Sequence, residues 1–361
     1  MLIPVAFGIG YLSRGRFKVR KALLPGGFLL LTVVSFVAYT RWLSATGRLP
    51  TGYSAQTRQI LAVLGPGLPA LARRAAGSLL TTFTYLGLFM LPIGLLFLDI
   101  TRKRRLVGLL VVSTALLALA QLLHVGFAGN ILSDRGVGPF TLAHTDNFFT
   151  FTGSKASVVT LGLLALVGGA LLLEMLARAL RSARSTYVGT VCLSFAGLYF
   201  VSLLLVQQFD RYMLVYLPLL AIPAMVELRR TPPARAAVAA AVAALLLYGA
   251  FSVSAVHDYL AWNRTRWQAI GQLTSDLAVT PERIDGGFEF NGLYTYSEDY
   301  VRKPNKSSWW VESDEYVVAF DVLPGYDVFK VYPVKSWLPA GIKRIYTLRR
   351  TRPLPDSAVN Y

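Results

Sequence analysis

A single cysteine, Cys192, in 361 residues excludes an internal disulfide, so no covalent cross-link holds this fold. It lies inside an apolar block, and its solitude leaves the compartment of the soluble part open. Histidine is almost as scarce. His124, His144 and His257 stand far apart and show no metal-ligand spacing. No acidic residue precedes Asp99. There is no phosphate-binding glycine-rich loop, no dinucleotide fingerprint, no zinc-ligand pair and no nucleophile elbow. A cytosolic nucleotide is therefore not the expected substrate or fuel. A cleavable signal peptide is not evident either. Met1 to Leu12 is apolar, but its basic residues follow rather than precede it. That stretch reads as the end of a membrane helix whose beginning is absent. No internal repeat or low-complexity tract stands out.

What fills the chain instead is hydrocarbon. Hydrophobic residues make up 54% against 15% charged, and the mean hydropathy is +0.50. The apolar residues come in blocks of about 20, enough to cross a bilayer core. The sequence is that of a polytopic α-helical membrane protein. Its net charge of +17 is one signature of nucleic-acid binding. Here much of the excess lies in short runs between apolar blocks. Retention of positive charge on one side of a membrane explains that distribution, and no nucleic-acid partner is expected.

About eight membrane segments are expected, at 1–12, 22–40, 79–100, 106–128, 158–176, 186–206, 213–226 and 236–256. Basic clusters follow the first, third, fifth and seventh, which places those ends in the cytoplasm. Segment seven is short and holds Pro218 and Pro223, so neighbours must satisfy the backbone groups they free. A long outer loop is expected at 41–78. Gly65–Pro69 breaks it, leaving 57–64 and 70–76 as two interfacial helices. Their Arg58, Arg73 and Arg74 face headgroups or an anionic ligand.

The composition changes at His257, dividing a membrane domain, 1–256, from an outer α/β domain, 257–361. The apolar spacing of Trp267, Ile270, Leu273 and Leu277 predicts an amphipathic helix over 264–278. Strands are predicted at 283–286, 316–322, 328–333 and 344–348.

Candidate functional residues gather on outer faces. Asp210, Arg211 and Tyr212 sit where one apolar segment ends and the next begins. A carboxylate and a guanidinium at that lip either pair in a tight turn or serve a function. The loop 129–139 presents Asn130, Asp134 and Arg135, and is followed by His144, Asp146 and Lys155. It is an ordinary polar loop, or else Arg135, Lys155 and Arg211 converge on a phosphate, whose oxygens match guanidinium donors in pairs. Asp99 and Glu174 precede basic residues near inner segment ends and read as interfacial ion-pair partners. The stretch 284–292 combines Asp285, Glu289, Asn291, three glycines and two phenylalanines. It suits either a sugar, held by hydrogen bonds and ring stacking, or a plain strand-end turn.

Phe-Asp-Arg-Tyr followed by a Leu/Pro-rich membrane segment resembles the late part of bacterial protein-mannosyltransferase-like enzymes. These are GT-C glycosyltransferases, related to the 4-amino-arabinose lipid A transferase. The loop 129–139, the stretch 283–291, Trp309-Trp310 and the run 316–332 are similar to bacterial members. The resemblance implies transfer of a sugar from a polyprenyl-phosphate carrier to an acceptor on the outer face of the bacterial inner membrane. It implies inverting chemistry, with a carboxylate taking the acceptor's proton and positive charge or a metal stabilising the departing phosphate. Asp210, Arg211, Tyr212, Asp134, Arg135 and Lys155 would hold the lipid phosphate. Such enzymes carry their essential acids in a first outer loop, which this sequence lacks. No catalytic residue is assigned, and a divalent metal cofactor would find its ligands outside this chain. The chain is then an N-terminally truncated enzyme, one half of a two-chain enzyme, or a binder that does not catalyse. A transporter or flippase of a lipid-linked or anionic solute and a membrane scaffold are the rival readings. The first would place charges at mid-depth in several helices.

Overall fold

The computed structural model describes residues 2–12, 19–48, 65, 67–99, 101–123, 155–183, 186–204, 210–297, 300, 310–338 and 342–351. They fall into two compact units, one built from Met1–Gly129 and Val159–Leu246, the other from Asn130–Val158 and Leu247–Tyr361.

The first unit is helical. Its helices are α1 (Leu2–Leu12), α2 (Val19–Ala45), α3 (Leu68–Phe89), α4 (Leu91–Leu95), α5 (Lys103–Leu122), α6 (Lys155–Ala183), α7 (Tyr187–Leu203) and α8 (Tyr216–Leu228). A 3₁₀ turn, Asp210–Val215, leads into α8. The last helix, α9 (Arg235–Gly271), contains the division between the units. The described part of each predicted segment is mostly helical. Among the described residues, four stretches are long and apolar enough to cross a membrane: Gly26–Ala45, Gly162–Arg181, Arg211–Leu228 and Arg235–Asp276. Their outward faces carry bare hydrocarbon; Leu245, Leu246 and Leu247 are 62%, 68% and 71% exposed. Exposed leucine on this scale marks a surface that meets lipid rather than water.

Two expectations need correction. The loop expected at 41–78 is shorter, because α2 runs on to Ala45 and α3 begins at Leu68. The stretch 70–76 is not a separate interfacial helix but the first turns of α3, while 57–64 lies outside the described residues. Gly67 supplies the break, with φ of 85°, and Pro69 fits the first turn, where its missing N–H costs nothing. Likewise the helix expected at 264–278 does not stand alone. It continues α9 as far as Gly271 and ends in a π turn, Gln272–Asp276.

Helix α3 is the core of its unit, with every residue from Leu80 to Leu88 buried. Glycine lets α6 approach it. A Cβ on Gly168 would lie 2.0 Å from the carbonyl oxygen of Gly87, and one on Gly169 would lie 2.6 Å from Ser113 Oγ. Small residues at such crossings bring helix backbones together where lipid offers no hydrophobic drive. Ser113 on α5 then donates to Leu166 O at 2.8 Å, a hydrogen bond across that seam. In α8, Pro218 falls in the first turn, where its N–H would be unpaired anyway, and Pro223 is buried inside the helix.

The second unit holds a four-stranded sheet in the order β1-β2-β4-β3: β1 (Ile284–Asp285), β2 (Tyr316–Ala319), β3 (Tyr326–Pro333) and β4 (Arg344–Arg350). β1 pairs parallel to β2, and β4 runs antiparallel between β2 and β3. All four residues of β2 are buried. Alternate side chains point to opposite faces, so both faces are covered. Tyr316 and Val318 join a cluster with Trp262, Ile270, Leu273, Phe290 and Ile345. Val317 and Ala319 pack with Leu323, Tyr326 and Leu348. Asp258 of α9 ties down the chain after β3, accepting from the N–H groups of Trp337 at 2.6 Å and Leu338 at 2.9 Å. A short helix, α10 (Phe288–Tyr294), follows β1.

Candidate functional site

The Asp-Arg-Tyr lip is a 3₁₀ turn that delivers the chain into α8. Arg211 is exposed there, its guanidinium carbon 5.7 Å from the ring centre of Tyr212. Tyr212 is half-buried and fixed from below, since Tyr199 of α7 donates its hydroxyl to the Tyr212 carbonyl at 3.2 Å. Tyr199 in turn meets Tyr216 edge-on at 5.2 Å. The turn therefore rests on an aromatic base contributed by α7 and α8. A second guanidinium secures the preceding helix end. Arg74 of α3 donates its Nε to Leu204 O at 2.7 Å, satisfying a carbonyl that the end of α7 leaves without an intrahelical partner. Arg74 was an expected headgroup or anion contact; here its Nε serves the backbone. Helix α3 also packs against the Asp210–Val215 turn, so Arg74 and Arg211 belong to one end of this unit.

The other predicted site residues are placed less fully. Asp210 opens the turn and Lys155 opens α6, but their side chains lie outside the described residues. Asp134 and Arg135 lie wholly outside them, as do Asn130, His144 and Asp146. Among the described residues, no group of three or more His, Cys, Asp or Glu is placed to hold a metal ion.

The stretch 284–292 divides between structure and surface. Asp285 and Asn291 are buried and hydrogen-bond to each other and to the turn. Asp285 Oδ1 accepts from Asn291 Nδ2 at 2.8 Å and from Gly287 N at 3.2 Å, and Asn291 Oδ1 accepts from Gly286 N at 3.1 Å. A glycine is required at 287, where φ is 89°, and at 286, where a Cβ would meet the Phe290 ring at 2.6 Å. What this stretch offers outward is Phe288 and Glu289, both about half exposed. Trp310 lies beside Phe288 at 5.8 Å and Tyr296 at 5.0 Å, measured between ring centres. Its backbone holds φ at 53°, a conformation bulky residues avoid, and Thr295 Oγ1 donates to its carbonyl at 2.8 Å.

The residue that sequence reading missed is Arg266. It is 1% exposed, donates Nη1 to Glu289 Oε2 at 2.6 Å, and sits 5.5 and 5.4 Å from the rings of Trp262 and Trp267. Among the described residues its Nε and Nη2 have no hydrogen-bond partner, and nor do the buried Trp262 Nε1 and Asn263 Oδ1 of the same helix. A guanidinium between two tryptophans is favoured by their negative ring faces. The signal was legible: Trp262 and Arg266 are four apart, one helical turn, so they share a face.

At the other end of α3 from Arg74, the expected ion pairs form. Glu174 of α6 is 2.6 Å from Arg178 Nε and 2.8 Å from Arg105 Nε, and Asp99 is 3.1 Å from Arg102 Nε. Comparisons with known protein families, with curated proteins and with solved structures find no match for this chain.

Proposed function

We propose that this chain works on a lipid-linked sugar at the outer surface of a bacterial inner membrane, as the C-terminal part of a GT-C glycosyltransferase. In this reading all eight apolar segments cross the bilayer and the sheet-bearing unit lies outside the cell. The observation that supports it is Arg211, an exposed guanidinium on a rigid turn where two apolar helices meet. A lipid phosphate reaches such a position with its chain still in hydrocarbon. A planar guanidinium then offers two parallel donors to its oxygens. Tyr212, held through its carbonyl, fixes the turn. Asp210 precedes Arg211 on the same turn, and Asp134, Arg135 and Lys155 are the other residues that the resemblance to GT-C enzymes would assign to the carrier phosphate.

The reaction is a displacement at the anomeric carbon. The acceptor oxygen forms the new bond, the bond to the phosphate oxygen breaks, and the carrier leaves as its phosphate. Arg211 neutralises the charge that develops on that phosphate. The carboxylate that takes the acceptor's proton is assigned to no residue of this chain. Within the sheet-bearing unit, Phe288, Glu289, Tyr296 and Trp310 form a patch of rings with a carboxylate, which suits a carbohydrate.

The test is consumption of a radiolabelled polyprenyl-phosphate sugar by membranes expressing the protein at its native locus. Wild-type membranes should release the polyprenyl phosphate, and Arg211→Ala membranes with equal protein content should release at least tenfold less. Equal release from membranes in which the locus is deleted would defeat the proposal.

A further inference from the structure

A pocket at the end of the helical unit remote from Arg74 is lined by Phe97, Leu98, Asp99, Arg102, Arg105, Leu106, Leu109, Leu171, Glu174 and Arg178. Leu98, Leu106, Leu109 and Leu171 contribute hydrocarbon to its lining. Three guanidiniums line it as well, graded in exposure: Arg178, Arg105 and Arg102 side chains are 15%, 37% and 62% exposed.

The charges do not cancel. Glu174, its side chain 6% exposed, faces both Arg105 and Arg178, and Asp99 takes Arg102. One carboxylate against two guanidiniums leaves one positive charge in surplus beside a buried Glu174 and a largely buried Arg178, where a surplus charge favours an anionic partner. The donors are also underused. Arg178 and Arg105 meet Glu174 through Nε, and Arg178 lies over the Phe97 ring at 5.6 Å. Among the described residues their Nη groups make no hydrogen bond.

We infer that this pocket binds the phosphate of an anionic phospholipid, with an acyl chain against the leucines of its lining. A phosphodiester carries one negative charge, which matches the surplus, and its oxygens accept from the free Nη donors. The leucines select a lipid over free phosphate. Basic pockets between membrane helices are where such headgroups dock. This site is separate from the Arg211 turn and needs no sugar carrier.

The experiment uses the full chain, purified in mild detergent and exchanged into nanodiscs of phosphatidylcholine with one tenth phosphatidylglycerol of the same acyl chains. Lipids still bound after extraction are counted by native mass spectrometry. Wild type should retain phosphatidylglycerol over phosphatidylcholine beyond the input ratio. Arg102→Ala, an exposed rim substitution, should cut that retention about fivefold, the worth of one basic residue near a membrane surface. Arg105→Lys with Arg178→Lys keeps the charge opposite Glu174 but removes the Nη pairs, and should abolish the preference. Retention at the input ratio by wild type, or unchanged preference in both variants, overturns the inference. Displacement of the lipid by inorganic phosphate at millimolar concentration would overturn the lipid assignment, since the lining leucines would then contribute nothing.

Discussion

Arg266 and Glu289 join the interior of the sheet-bearing unit to its surface: a guanidinium 1% exposed donates Nη1 to a carboxylate 47% exposed, at 2.6 Å. Among the described residues Glu289 is the only acidic partner of this arginine, and two of its nitrogens lack acceptors. Glu289→Ala should therefore destabilise the unit by about 1–3 kcal/mol, below the full cost of stranding a buried charge because Glu289 is half in water. Arg266→Met removes the charge with similar volume and should be milder. Urea melts followed by tryptophan fluorescence would report both, through Trp262 and Trp267. A Glu289→Ala protein as stable as wild type would show that the pair contributes nothing.

Gly168 tests the helix seam in the other unit. Its Cβ would stand 2.0 Å from the Gly87 carbonyl oxygen, a backbone atom that no rotamer change moves aside. We expect Gly168→Ala to cost about 1–3 kcal/mol or more, as overpacking does. Gly162→Ala, with open space around its Cβ, should cost nothing. Thermal aggregation midpoints in detergent compare the two; equal midpoints would refute the packing described.

Tyr326 makes the sheet-bearing unit sensitive to alkali. Burial raises its pKa well above the ordinary tyrosine value, and the neighbouring Asp314 carboxylate, 2.9 Å from its hydroxyl, adds to the rise, while Arg350 pulls the other way. The folded state thus holds the phenolic proton more tightly than the unfolded chain. That stabilisation is intact below about pH 10, where free tyrosine titrates, and is lost as pH rises beyond it toward the folded value. Stability measured from pH 8 to 11 should fall above pH 10. Tyr326→Phe should flatten that decline; an identical decline in the variant would assign it elsewhere.

How far the fold could be read from residues alone depended on which force wrote the pattern. Hydrocarbon blocks and their basic flanks are dictated by bilayer thickness and charge retention, so the described part of each predicted segment is mostly helix. The strands were legible too, because β-branched and aromatic runs bounded by turn residues such as Pro324 and Gly325 carry a local signal. Helix boundaries were not. Composition shifts at His257, but the backbone hydrogen bonds of α9 pass through it unbroken to Gly271. The same holds for 70–76, where Arg73 and Arg74 suggested a surface helix although the chain was already inside α3.

The candidate site was legible only as residue types. Arg211 was singled out for its charge beside apolar blocks, and it stands exposed on its turn. Asp285 and Asn291 suit sugar contacts in sequence, yet in the fold Asn291 Nδ2 donates to Asp285 Oδ1 and Asn291 Oδ1 accepts from Gly286 N. A pairing across a turn leaves no periodic trace. The Arg266–Glu289 pair leaves none either, because its partners lie 23 positions apart on different helices.

The most direct test is the affinity of the purified chain for polyprenyl phosphate, measured in detergent by native mass spectrometry for wild type and Arg211→Ala. Losing one charge-assisted contact should weaken binding about tenfold or more, while Arg230→Ala, a control at the far end of α8, should leave it unchanged. Equal affinity of wild type and Arg211→Ala would contradict the proposal that this guanidinium holds the carrier's phosphate.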